Sequence, residues 1–401
     1  MTTEQRNVPY EPEIRLILQV AMVLFIYTVV IGILNGTDLV TFERKPLLAH
    51  LHVGTLGWLT MAVFAGSLWL FGVAGEERNE MRWAARLAPF AALLYNVAFF
   101  TTEGMLRPVG GTLMMIAILV FFVWGVARAR ITQLSVPHLG LLAGLATSVV
   151  GALFGVLNGI RIAQTDSSLS ERLGEAHPAV MVIGFLVPVG MAFIEWTVRP
   201  DSVHERATRA GQLQILFPVL GATALAIGIL ANAEPMIMLS LPLEVAGLII
   251  LLVRTVPTSR TISWVDGGLA RHGVTATIFL IVNIALLVYL ISKYIDDFEA
   301  APRRMFLALD HSIFVGVLTN AILAMIALTL RTPRARWVDE AVFWGTNLGI
   351  AGFLIGLVSD TTPIIRVATP VLGAAILLAV AVHLLDAVRS RGSSGTGASA
   401  S

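Results

Sequence analysis

The sequence contains no cysteine, and only 13% of its 401 residues are charged. The lack of cysteine excludes disulfides, iron–sulfur clusters, thiolate ligation of haem and covalent haem attachment through a cysteine pair. Charged residues make up about 25% of an ordinary soluble domain, so this composition argues against a soluble enzyme. The net charge of +1 gives no indication of nucleic-acid binding.

What the chain has instead is apolar runs. Twelve stretches have about the 20 residues that a helix needs to cross the hydrocarbon core of a bilayer. They predict transmembrane helices at 13–35, 47–72, 84–102, 108–127, 136–160, 176–197, 212–231, 236–254, 274–294, 305–330, 339–358 and 364–386. We therefore expect an all-α polytopic membrane protein that has the lipid bilayer as its first partner.

The chain shows no sign of a soluble domain or of a convincing internal repeat. Residues 1–390 are predicted to form a single transmembrane helical domain, and the small, polar residues 391–401 a disordered tail. The polar N-terminus lacks the features of a signal peptide, so the first span is expected to be retained.

The Lys and Arg residues predict an orientation. The two termini and the loops on their side of the membrane hold 18 of the 27 Lys and Arg residues. Because such residues accumulate on the cytoplasmic side, we expect a multi-pass protein of the cell membrane with both termini cytoplasmic. The even-numbered helices then begin at the outer face.

Four of the eight histidines share one predicted depth near that face. His50 and His52 begin the second helix, His177 begins the sixth, and His311 lies in the outer part of the tenth. A single histidine at an interface is usually an anchor or a packing residue. Four at one depth favour a haem or metal site, because imidazole ligates both haem iron and copper.

The two histidines of the second helix cannot ligate one iron together. Residues two positions apart point about 200° from each other around a helix. One should face the interior of the bundle, and the pattern alone does not decide which.

These motifs resemble the catalytic subunit of the haem–copper oxidase superfamily, which implies a similar twelve-helix bundle. The stretch AHPAVMVIGFLVPVG at 176–190 is similar to the superfamily's helix 6 pattern, which implies that His177 is a copper ligand. AHLHVGTLGW at 49–58 and DHSIFVGVLTNAILAMI at 310–326 resemble NnrS-type haem membrane proteins, linked to nitric oxide stress, still more closely. That resemblance implies that His311 is a haem ligand.

The departures from the oxidase pattern argue against standard oxygen reduction. The predicted seventh helix lacks the histidine pair that the oxidase copper site requires, and Met181 replaces the tyrosine that follows the helix 6 histidine. The ligand count fits one non-covalent, b-type haem held by His311 with His52 or His50, of which His52 is preferred. His177 would face this haem or join His50 in a copper site.

Three arginines at predicted outer helix ends are candidates for pairing with the haem propionates. They are Arg107, Arg161 and Arg366. The alternative is that each simply extends to the membrane interface.

The function expected from the sequence is that of a haem-binding membrane protein that binds or responds to nitric oxide or another diatomic gas. One alternative is a membrane oxidoreductase or electron-transfer subunit that takes electrons from quinol. A second is a secondary transporter, since twelve helices with cytoplasmic ends also describe that class. Against a transporter, the two halves of the chain do not mirror each other.

Overall fold

The computed structural model describes residues 8–101, 104–164, 167–264, 268–294, 297, 300–330 and 335–394. Throughout these ranges the regular structure is helical. Twelve of the helices are long and apolar enough to cross a membrane, which confirms the predicted number of spans. Part of the predicted tail, residues 395–401, lies outside the described residues.

The helices extend slightly beyond most of the predicted apolar spans. They are α1 (Glu11–Gly36), α2 (Arg44–Phe71), α3 (Asn79–Thr101), α4 (Leu106–Ala129), α5 (Val136–Ala163), α6 (Arg172–Val198), α7 (Arg209–Ala231), α8 (Glu234–Ser259), α9 (Ala270–Tyr294), α10 (Arg303–Thr329), α11 (Arg336–Val358) and α12 (Thr362–Ser394). Charged residues such as Arg44 and Arg172 begin helices because a helix can project past the hydrocarbon core into the polar interface.

The three helices that carry the clustered histidines lie in the centre of the bundle. In α2, α6 and α10, 83%, 89% and 72% of the apolar segment is buried, against 28–50% in the other nine spans. Their side chains are therefore surrounded by protein, whereas the peripheral helices present one face to lipid.

The same three helices each contain a π-helical segment. These segments are Val53–Thr60, Val180–Leu186 and Ser312–Thr319. π-helical turns are rare and occur frequently at functional sites. Thr60 and Thr319 stabilise two of the segments, because each hydroxyl donates to the carbonyl five residues earlier, at 3.0 and 2.9 Å.

Each π-helical segment begins four residues before a buried glycine that packs against the preceding helix. The glycines are Gly57, Gly184 and Gly316. A Cβ at these positions would lie 3.0 Å from Leu24 of α1, 3.1 Å from Thr147 of α5 and 2.5 Å from Phe279 of α9. The glycines thus permit close approach of two helices at three equivalent places.

These glycines reveal an internal repeat of four helices. The units are α1–α4, α5–α8 and α9–α12. When the glycines are aligned, a buried alanine eight residues earlier and a buried leucine two residues later are shared by all three units. These residues are Ala49, Ala176, Ala308, Leu59, Leu186 and Leu318. The structure therefore corrects the expectation that the chain has no internal repeat.

Candidate cofactor site

The four clustered histidines lie at one end of the bundle, where α2, α6 and α10 begin; we call it the histidine end. They occupy two positions of the repeat. His50 and His177 lie seven residues before the aligned glycine, and His52 and His311 lie five residues before it. The second unit has Ala179 at the later position. Of the three central helices, only α2 carries a histidine at both positions.

His50 and His177 are oriented by the helix that precedes their own. The Nδ1 atom of His50 lies 2.8 Å from the carbonyl oxygen of Thr28 on α1. The Nδ1 atom of His177 lies 2.8 Å from the carbonyl oxygen of Gly151 on α5. Each hydrogen bond fixes the ring between the first and second helices of a unit.

His52 and His311 are oriented by their own helices. Their Nδ1 atoms lie 2.8 Å from the carbonyl oxygens of Leu48 and Leu307, four residues earlier in each case. A carbonyl oxygen only accepts hydrogen bonds, so in all four neutral imidazoles Nδ1 is the donor and Nε2 keeps its lone pair. This arrangement is typical of histidines that ligate iron or another metal through Nε2.

The structure groups the four rings into two pairs. His52 and His177 line one cavity, and electrostatic interactions link His52 to His177 and His50 to His311. Of the two partners that the sequence left open for His311, this interaction favours His50. His52, the preferred partner, lines a cavity together with His177.

A cavity of about 400 Å³ lies between His52 and His177. Side chains from α2, α3, α4, α5, α6 and α10 line it, and most of them are apolar. Arg44 and Arg107 contribute positive charge at the histidine end of the cavity. The space is thus mostly apolar around the imidazoles, with two arginines at one rim and the carboxyl group of Asp310 also in its lining.

Aromatic rings pack against one histidine of each pair. The Phe99 ring of α3 stacks on His52 with centroids 4.0 Å apart, and the Phe353 ring of α11 lies 5.0 Å from His311. The Arg107 guanidinium lies 4.6 Å from the centroid of Phe99. These contacts restrict the rotation of His52 and His311.

Two of the three candidate arginines are equivalent in the repeat. Arg107 and Arg366 each lie fifty residues after the aligned glycine, at the start of α4 and α12. Arg107 lines the cavity, while Arg366 pairs with Asp38 at 2.9 Å from Nη2 to Oδ2. Both lie at the histidine end.

The third candidate, Arg161, is held by other side chains. Its Nε donates to Asn158 Oδ1 at 3.1 Å, and its Nη1 lies 3.3 Å from Glu171 Oε1. Arg161 is not among the described residues that line the cavity, whereas its neighbour Asn158 is.

The boundary between the second and third units lacks the histidine pair. The equivalent positions there hold Ala179 and Leu309, and Glu234 stands where the other units have an arginine. Asn283 of α9 instead donates to the Leu309 carbonyl and to Ser312 Oγ, both at 2.8 Å.

The described donors fit haem better than copper. Within the described part of the chain, no group of three or more His, Asp or Glu side chains could hold a metal ion. The residues present therefore do not fit a three-ligand copper centre. Haem requires one or two imidazoles and an apolar enclosure, and both are present.

Histidines at the opposite end have other partners. His138 uses both ring nitrogens, because Nε2 donates to the Leu70 carbonyl at 3.1 Å and Nδ1 lies 2.6 Å from Ser135 Oγ. Nδ1 of His272 donates to Asn320 Oδ1 at 3.0 Å. These hydrogen bonds join helices and leave His138 without a lone pair for a ligand.

Sequence analysis missed the aromatic residues beside the histidines and Arg44 at the rim. Phe99 and Phe353 lie on α3 and α11, in apolar runs where many aromatic residues face lipid. The spacing from the repeated glycine identifies Arg107 and Arg366 as equivalent, but not Phe99 and Phe353, which lie at different distances from Gly57 and Gly316. No protein-family model matches this sequence, and none of the curated proteins is significantly similar to it.

Proposed function

We propose that the protein is a haem-binding integral membrane protein in which His50 and His311 are the axial ligands of a non-covalent, b-type haem. The observation that carries this proposal is that both imidazoles lie at the histidine end, each with Nδ1 hydrogen-bonded to a carbonyl and Nε2 left for the iron. Bound haem would supply a redox-active iron. The chain orients the two rings through the carbonyls of Thr28 and Leu307.

Two imidazoles on one iron favour electron transfer, because both axial positions are then occupied by protein. An electron-transfer protein of this type would take electrons from a donor in the membrane, such as quinol, and pass them to an acceptor. The resemblance to haem–copper oxidases and NnrS-type proteins supports the same cofactor.

Binding of nitric oxide or another diatomic gas is the second candidate function. The apolar lining of the cavity beside His52 and His177 favours it. A small apolar gas dissolves in the bilayer and would reach such a cavity laterally. With both termini in the cytoplasm of a cell-membrane protein, as the Lys and Arg residues favour, the histidine end would lie near the outer face.

The absorption spectrum of the purified protein, produced in cells supplied with haem, tests the proposal. We expect a Soret band that is strongly reduced when His50 or His311 is changed to alanine. His204→Ala is a matched control, because His204 is exposed in the short helix Pro200–His204 at the opposite end. A colourless wild-type protein would contradict the proposal and favour the transporter.

Carbon monoxide added to the reduced protein separates the two roles. An unchanged spectrum supports electron transfer with both axial positions filled by imidazole. An immediate shift of the Soret band supports gas binding, because it requires an open position on the iron.

A further inference from the structure

We infer that the cavity between the first and second four-helix units is a second haem site, with His52 and His177 as the axial ligands. This inference rests on the proposed function, since it assigns the same cofactor to a second place in the fold. It makes the protein a carrier of two haems, and α2 supplies one ligand to each.

The two histidine pairs are built in the same way. In each pair, one histidine lies five residues before the glycine of its unit. The other lies seven residues before the glycine of the next unit, where the first unit is taken to follow the third. His52 of the first unit and His177 of the second line one cavity, and His311 of the third interacts electrostatically with His50 of the first. A residue pattern that recurs with the repeat is expected to serve the same chemistry at both boundaries.

The hydrogen bonds and the space around the rings recur as well. His50 bonds to the carbonyl of Thr28, and Gly32 follows four residues later; His177 bonds to the carbonyl of Gly151, and Gly155 follows four residues later. A Cβ at Gly155 would lie 2.8 Å from His177 Cε1. The absence of a side chain therefore makes room for the His177 imidazole against α5.

The cavity itself provides the third line of support. It places both imidazoles on one apolar space of about 400 Å³, with Arg44 and Arg107 at the histidine end. Arg107 is the repeat equivalent of Arg366, which also lies at the histidine end. Arginine is well suited to bind the two carboxylates of a haem, because its guanidinium donates two parallel hydrogen bonds.

The boundary between the second and third units serves as an internal comparison. It has Ala179, Leu309 and Glu234 at the three equivalent positions, so it lacks both imidazoles and the arginine together. The two histidines and the arginine are present together at two boundaries and absent together at the third. This indicates that the three residues serve one purpose. Packing alone would not require an arginine to accompany the histidines.

The ratio of haem to protein in the purified wild-type chain tests the inference. Pyridine haemochrome absorbance gives the haem, and quantitative amino-acid analysis gives the protein. We expect a ratio of two. His177→Ala and His52→Ala should each lower it to one, and His204→Ala should leave it at two.

Electron paramagnetic resonance of the oxidised protein provides a readout that does not depend on yield. We expect two low-spin signals, of which His177→Ala removes one and His311→Ala removes the other. His177→Gln keeps most of the side-chain volume and should also remove one signal, which separates loss of a ligand from loss of packing.

The possible outcomes distinguish the two proposals. A wild-type ratio of one that His311→Ala abolishes and His177→Ala leaves unchanged would overturn the second site and keep the proposed function. A wild-type protein without haem would overturn both.

Discussion

At the scale of single residues, the orientation of His50 and His177 depends on atoms of the preceding helix. His177 fits against α5 because residue 155 has no side chain: a Cβ there would lie 2.8 Å from Cε1 and 2.9 Å from Nδ1 of the ring. The equivalent Gly32 leaves more room, since a Cβ would lie 3.5 Å from His50 Cε1, an ordinary van der Waals contact. An added methyl group is therefore better tolerated at Gly32 than at Gly155.

Gly155→Ala should displace His177 and weaken haem binding at the second site. Overpacking of this kind costs about 1–3 kcal/mol, which corresponds to roughly a 5- to 150-fold weaker affinity. Titration of haem into the haem-depleted protein measures the change, with Gly32→Ala as the matched control. Equal affinities for the two variants would show that contact with α5 does not position His177.

At the scale of helices, a buried ion pair joins α6 to α8 at the end opposite the histidines. The Glu195 side chain is 1% exposed and pairs with Arg254 of α8. It also lies 3.1 Å from Arg199 Nη1 and accepts from Gln214 Nε2 at 3.3 Å. These hydrogen bonds satisfy a carboxylate that would otherwise be buried alone.

Arg254→Met should destabilise the bundle by about 1.5–3 kcal/mol, because it removes one charged partner of a buried carboxylate that keeps Arg199 and Gln214. Adding Glu195→Leu should recover most of this loss, since the buried carboxylate that lost Arg254 is then gone. The midpoint of thermal unfolding in detergent measures both changes.

Arg161→Met is the comparison for that series. Its partner Glu171 is 88% exposed, so the expected change is less than about 1 kcal/mol. If Arg254→Met were as mild as Arg161→Met, the ion pair of Glu195 would not stabilise the contact between α6 and α8.

The π-helical segments show where sequence reasoning reaches its limit for a helix. Apolar length predicts a spanning helix at 47–72, and α2 is long and apolar enough to cross a membrane. The same apolar residues are compatible with α- or π-helical hydrogen bonds, so the pattern does not reveal Val53–Thr60. The hydroxyls of Thr60 and Thr319 donate to carbonyls five residues earlier. This shared hydrogen bond is recognised only when α2 and α10 are compared.

At the scale of the whole molecule, three units of four helices place α2, α6 and α10 in the centre. The number of spans follows from hydropathy, because burial in lipid and burial in protein both require apolar side chains. For the same reason, hydropathy does not reveal which helices are central. The common depth of the four histidines follows from the order of the helices. Their pairing depends on which units are neighbours, so His52 with His177 was not predictable from spacing along the chain.

The arrangement of the units also means that α2 takes part in both histidine pairs. His50 contributes to the pair with His311, and His52 contributes to the pair with His177. A change in α2 alone therefore acts on every candidate haem ligand pair among the described residues.

The haem content of the double variant His50→Ala/His52→Ala, measured against the wild-type protein, tests the central claim most directly. Both proteins are produced with haem available, and size-exclusion chromatography establishes that each remains folded. The account predicts a coloured wild-type protein and a folded variant without a Soret band. A colourless wild-type protein, or a variant that keeps its full haem content, would contradict it.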